Sequence, residues 1–189
     1  MRQFDQLLAG DDLRSLGNTG LVVATIKTQN EFDRLFPLIF HENRMVVMRA
    51  ADAIEKISIT RPVYLSKYKK QLLGLCDAAT NKELKWHLAL LLPRLQLINK
   101  EFDKAWNMLR RWAKDSANSR IVRVNAIQAL FELTCQNPAK RKKISRLLLE
   151  INKENIPSLN ARIRKISKVL EVKAKSRASY RHQAFEAGF

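Results

Sequence analysis

Glycine, proline and cysteine are all scarce in this chain of 189 residues, at five, five and two. The glycines are Gly10, Gly17, Gly20, Gly74 and Gly188, so nothing between 75 and 187 can form a glycine-rich phosphate cradle. That excludes a P-loop or Rossmann turn over most of the chain. The two cysteines, Cys76 and Cys135, stand in separate apolar helical runs rather than in a short paired spacing, and both read as buried, reduced thiols. No run of about 18 uncharged apolar residues exists, and the start from Met1 to Asp5 leads into acidic residues rather than a signal-peptide core. A soluble cytoplasmic protein is expected.

Acidic residues are also few, 18 against 35 lysines and arginines, for a net charge of +17. The imbalance is uneven along the chain. Residues 1–60 carry seven basic and eight acidic side chains, residues 61–137 carry 14 and six, and residues 138–189 carry 14 and four. Basic character that grows toward the C-terminus favours an anionic partner there, either nucleic acid or an acidic protein surface. The length suits a single domain that buries its own core without disulfides or metals.

What is present is a repeat. Segments beginning at Met48, Trp86, Val124 and Ala161 come into register at offsets of 38, 38 and 37. In that register four columns stay apolar: Val46, Leu84, Val122 and Leu159; Ala50, Leu88, Ala126 and Ile163; Ala53, Leu91, Ala129 and Ile166; Ile57, Leu95, Leu133 and Leu170. Their spacing of i, i+4, i+7 and i+11 is one buried stripe of a helix. A second periodic stretch precedes each: Phe32 to Ile39, Tyr68 to Leu75, Phe102 to Ala113 and Ile144 to Ile151. Each repeat is therefore a helical hairpin, and the fold class is all-α. Pro62, Pro138 and Pro157 suit first turns of helices, with Asn137 as N-cap for Pro138. Pro37 and Pro93 fall inside helical patterns, where kinks are predicted.

Two helices per repeat, a period of 37–38 and small or apolar columns in the second helix resemble the HEAT and armadillo-like helical repeats. Val46 to Ile57 looks most like a HEAT second helix. The resemblance implies a right-handed α-α superhelix, a HEAT-like solenoid over residues 1–172. Its parts are an N-terminal cap at 1–28, closed by Leu21, Val22, Val23 and Ile26, and hairpins at 30–59, 62–98, 101–135 and 138–172. Residues 173–189 read as a basic C-terminal tail.

In such arrays the second helices line a concave face. The polar columns there are Arg49, His87, Asn125 and Arg162, flanked by Lys85, Arg123, Arg94 and Lys165. These eight residues are the candidate nucleic-acid or anion contacts. A ladder of this kind has a second reading, in which it only satisfies loop carbonyls. Trp86 and Leu90 form a candidate stacking or docking patch, while Trp106 reads as core. The clusters Lys67 to Lys70, Arg110 with Arg111, and Lys140 to Lys143 lie on first helices and read as solvated faces, the last less easily because Arg146, Arg162, Arg164 and Lys168 add to it.

No catalytic residue, metal site, cofactor or small-molecule substrate is expected. The histidines His41, His87 and His182 share no metal-ligand spacing with Cys, Asp or Glu, and Asp52 and Glu55 read as solvated or paired with Arg49 and Lys56. Architecture and charge also resemble the alkylpurine DNA glycosylases built from HEAT-like repeats, a resemblance that implies an Asp one turn after a Trp. Here Leu90, Arg110 and Ser116 follow Trp86, Trp106 and Trp112 by four, and Asp115 is a near miss. The leading expectation is a non-catalytic scaffold for an anionic partner. A protein–protein adaptor is the alternative, and a glycosylase-like enzyme the third reading.

Overall fold

The computed structural model describes residues 2–9 and 17–186, with side chains over 4–9 and 17–171. The described residues form ten α-helices and no strand: α1 (Arg2–Leu8), α2 (Thr19–Thr25), α3 (Gln29–Leu35), α4 (Arg44–Thr60), α5 (Lys69–Ala78), α6 (Lys82–Leu91), α7 (Asn99–Lys114), α8 (Arg120–Gln136), α9 (Arg141–Asn152) and α10 (Pro157–Glu186). Side chains of the tail at 173–189 lie outside the described residues, although the backbone of α10 continues to Glu186.

Local sequence sets the helix ends. Thr28 Oγ1 accepts from the Glu31 amide at 3.3 Å and the Glu31 carboxylate accepts from the Thr28 amide at 2.8 Å, a reciprocal cap that starts α3. Asn43 caps α4 through the Met45 amide at 2.8 Å. Asn137 does the same for the short turn Pro138–Lys140, accepting from the Ala139 amide at 3.2 Å, as its sequence position predicts. Pro37 and Pro93 do not kink helices; they end them. α3 stops at Leu35 and α6 at Leu91, and each chain tightens into a 3₁₀ turn, Phe36–Phe40 and Leu92–Arg94. A proline lacks the amide donor and its ring crowds the carbonyl four residues back, so the α ladder cannot continue through it.

The apolar columns become the core. Of the sixteen stripe positions, all are buried except half-buried Leu170, and all lie on second helices except Leu95, which follows the turn that ends α6. Phe32, Leu72, Trp106, Leu109, Ile144 and Leu148 bury the first helices against them. α4 packs on α6, α6 on α8 and α8 on α10, while α7 pairs with α8 and α9 with α10. α1 and α2 cover the other side of α4. There Val22 and Ile26 are buried and Val23 half-buried, but Leu21 faces solvent at 61% exposure. Cys76 is buried as expected, whereas Cys135 is exposed. It follows buried Leu133 by two residues, about 200° round the helix, which carries it off the packed stripe.

Candidate functional site

The polar ladder faces into the fold. Arg49 is 3% exposed and donates to the carbonyls of Leu8, at 3.0 Å, and Ala9, tying α1 to α4. Arg123 is 2% exposed; its Nε donates to the Ala113 carbonyl at 2.9 Å and its Nη2 to the Glu154 carboxylate at 2.7 Å. That hydrogen bond holds the Glu154 carboxyl below the ordinary carboxylate range. One repeat earlier, Lys85 Nζ reaches Asn118 Oδ1 at 3.0 Å. Arg162 donates to Gln128 Oε1 at 2.8 Å. Arg94 forks onto Glu55, through both its backbone carbonyl and its carboxylate, and onto Ser58 Oγ at 2.6 Å. Asn125 is half-buried. Of the eight candidates only Lys165 is exposed, and it has no hydrogen bond or ion pair among the described residues. Guanidinium groups committed to carbonyls and carboxylates in this way have few N–H donors left for a phosphate.

Trp86 is half-buried, packs on the core and meets the His87 ring edge-on, with centroids 5.3 Å apart. Leu90 is half-buried too, and Trp106 and Trp112 are buried. None of these tryptophans stands clear of the fold as a stacking platform.

Uncommitted positive charge lies on α10, at Arg164, Lys165 and Lys168, and also gathers around a cleft between two first helices. α7 buries Phe102, Trp106, Leu109 and Ala113, which turns Asn107, Arg110, Arg111 and Lys114 outward on the opposite face. α9 buries Ile144, Leu147, Leu148 and Ile151 and turns out Lys143, Arg146 and Glu150. Between the two helices lies a cleft of about 290 Å³ with Trp106 and Leu147 among its lining, joined through Arg110 and Lys114 to a hollow of about 370 Å³ that Arg111 and Asp115 also line. Five cations line this trough against two carboxylates. Both carboxylates are engaged: Glu150 pairs with Lys114 at 2.7 Å, and Asp115 accepts from the Ala117 amide at 2.9 Å and Asn118 Nδ2 at 3.0 Å. Arg110, Lys143 and Arg146 make no hydrogen bond or ion pair among the described residues. Other first-helix acids are already matched, Asp33 with Lys67, Asp77 with Lys104, Glu101 with Lys69 and Asp103 with Lys140.

By sequence alone these trough residues read as a solvated face. The signals in the chain are the Arg110-Arg111 doublet and the run from Lys140 to Arg146; only the packing of α7 beside α9 shows that they share one surface.

No family model matches the chain, and comparison with curated proteins and with solved structures finds no match. No helix among the described residues is long and apolar enough to cross a membrane.

A second polar cluster lies on α4 and α6. Asp52, Glu55 and His87 each present a ligand atom within 4.8 Å of the other two. Asp52 pairs with Lys56 at 2.6 Å and Glu55 with Arg94, so the pairing of Glu55 differs from the sequence expectation. Burial pushes the His87 imidazole down to about 4, against the raising effect of Asp52, and leaves the ring neutral at pH 7.

Proposed function

We propose that this chain is a HEAT-like solenoid of four helical hairpins that binds nucleic acid, without catalysis, through the basic trough between α7 and α9. The solenoid reading draws on second helices that begin at Arg44, Lys82, Arg120 and Pro157, steps of about one repeat, each packed on the next. The single observation that carries the binding reading is that Arg110, Lys143 and Arg146 stand unpaired around one cleft, while the cations of the ladder are hydrogen-bonded inside the fold. Five positive side chains on two neighbouring helices suit a phosphate backbone, which rewards charge at intervals and needs no particular base.

The test compares two triple variants that lose equal charge. Arg110→Ala, Lys143→Ala and Arg146→Ala together should weaken binding to a fluorescent DNA duplex and lower the slope of log K against log salt by about 0.9 for each phosphate no longer neutralised. Lys27→Ala, Arg34→Ala and Lys70→Ala, at exposed sites away from α7 and α9, should leave the slope nearly unchanged. Equal weakening by the two sets would mean diffuse attraction to a basic protein and would remove the trough as a site.

The adaptor reading has one observation of its own. Leu148, Leu149, Ile163 and Leu170 line a cleft of about 500 Å³ between α9 and α10, and Leu149 is 69% exposed. Protein partners that survive nuclease treatment in a pull-down, together with no duplex binding at physiological salt, would favour it.

A further inference from the structure

Asp52 and Glu55 lie three residues apart on α4 and so share a face, and the packing of α4 on α6 brings His87 of the next repeat against that face. Asp52 is 7% and His87 5% exposed. Lys56 takes Asp52 Oδ2 and Arg94 takes Glu55 Oε1, which leaves Asp52 Oδ1 and Glu55 Oε2 without a hydrogen bond among the described residues. Neither ring nitrogen of His87 donates to or accepts from the protein there, and Nδ1 is sealed from solvent. A buried nitrogen with no partner costs about 1–3 kcal/mol, which a bound ion or water would recover.

We propose that Asp52, Glu55 and His87 are three ligands of a divalent first-row transition ion, of the zinc class, with a further coordination position open. One imidazole and two carboxylates make a donor set that suits zinc, manganese or iron(II) better than the all-oxygen shells of calcium and magnesium. Ligand atoms about 2.1 Å from such an ion stand about 3.4 Å apart in a tetrahedral site, so a separation within 4.8 Å closes by small side-chain rotations. Lys56 and Arg94 then act as outer partners that orient the carboxylates, as hydrogen-bonding groups behind metal ligands do. In the ion-free chain the same two cations balance the two carboxylates, which lets the fold hold this cluster before the ion arrives.

The site is tested on the full chain carrying Cys135→Ser, which removes the exposed thiol as a competing zinc ligand. Chelator-stripped protein is given zinc, passed over a desalting column and analysed for metal. One zinc per chain should remain and the melting temperature should rise, while His87→Gln and Asp52→Asn, each checked for helix content by circular dichroism, should bind about tenfold more weakly or worse. Magnesium at the same concentration should change neither reading. Loss of all zinc on desalting, or equal retention by a folded His87→Gln variant, would overturn the proposal. Should both variants unfold, imidazole NMR of the unaltered residues decides it: one equivalent of zinc should shift the His87 ring signals and leave those of His41 and His182 in place. Unmoved His87 signals would overturn it as well.

Discussion

Arg123 on α8 holds Glu154, in the turn before α10, by a 2.7 Å hydrogen bond from a guanidinium that is 2% exposed. The same side chain donates to the Ala113 carbonyl at the end of α7. One residue therefore ties the end of α7 and the turn before α10 to α8, and its charge is directed at the protein.

Replacing Arg123 with alanine should accordingly cost stability and not affinity. The change strands a buried carbonyl and leaves Glu154 without its cation, a loss of roughly 2–4 kcal/mol in a urea melt. Duplex binding by the fraction that stays folded should match the parent. A stable Arg123→Ala protein with weakened binding would return the ladder to a ligand-facing role.

Duplexes of the same length and different sequence should bind alike. The trough offers charged groups over a floor where Trp106 is 3% exposed, so no ring is free to stack on a base. Base-edge readout contributes about 1–3 kcal/mol per well-made pair of hydrogen bonds, and competition titrations that resolve a preference of that size would argue against phosphate recognition.

Asp33 should shape the acid limb of the stability profile. Burial raises its carboxyl, but hydrogen bonds from Lys67, the Tyr68 hydroxyl at 2.6 Å and Gln29 Nε2 at 2.8 Å outweigh burial and hold it below the ordinary value of 3.8. A depressed carboxyl contributes stability that is present above its unfolded value and lost as pH falls through the folded one. Asp33→Asn should thus lower stability by about 1–2 kcal/mol at pH 7 and flatten the decline below pH 4. Parallel acid limbs for the two proteins would show that this hub does not matter.

The two thiols should differ sharply toward iodoacetamide. Burial, aided by Asp77, pushes Cys76 up to about 12, so almost no thiolate exists at pH 8 and the sulfur is also covered. Mass spectrometry of native protein should find Cys135 alkylated and Cys76 intact until denaturant is added. Prompt labelling of Cys76 would mean that α5 opens readily.

Much of the fold could be read along the chain because a helix that buries one side repeats its apolar residues at a fixed spacing. Val46, Leu84, Val122 and Leu159 announced their burial in this way, and so did Phe32, Trp106 and Ile144. Asn137 announced a helix start, since its cap lies within two residues. Pro37 and Pro93 were legible as disturbances, but whether the helix bends or stops depends on what the next turn packs against. The candidate site was the least legible part. Arg49 and Arg123 could be read either as contacts for a ligand or as groups that satisfy loop carbonyls, and only the tertiary structure shows which carbonyls they reach, those of Leu8, Ala9 and Ala113.

What the sequence determined by itself was therefore the all-helical class, the 38-residue step, the buried stripe and the excess of positive charge, all properties of short spacings and counts. What the tertiary structure decided was the destination of each charge. Arg123 finds Glu154 across 31 residues, Arg94 finds Glu55 across 39, and His87 meets Asp52 across a repeat, while Arg110 and Arg146 find nothing among the described residues. The reason is physical: helical periodicity is dictated by backbone geometry within a turn or two, whereas the partner of a long charged side chain is whichever group the packing of distant helices happens to bring within about 3 Å.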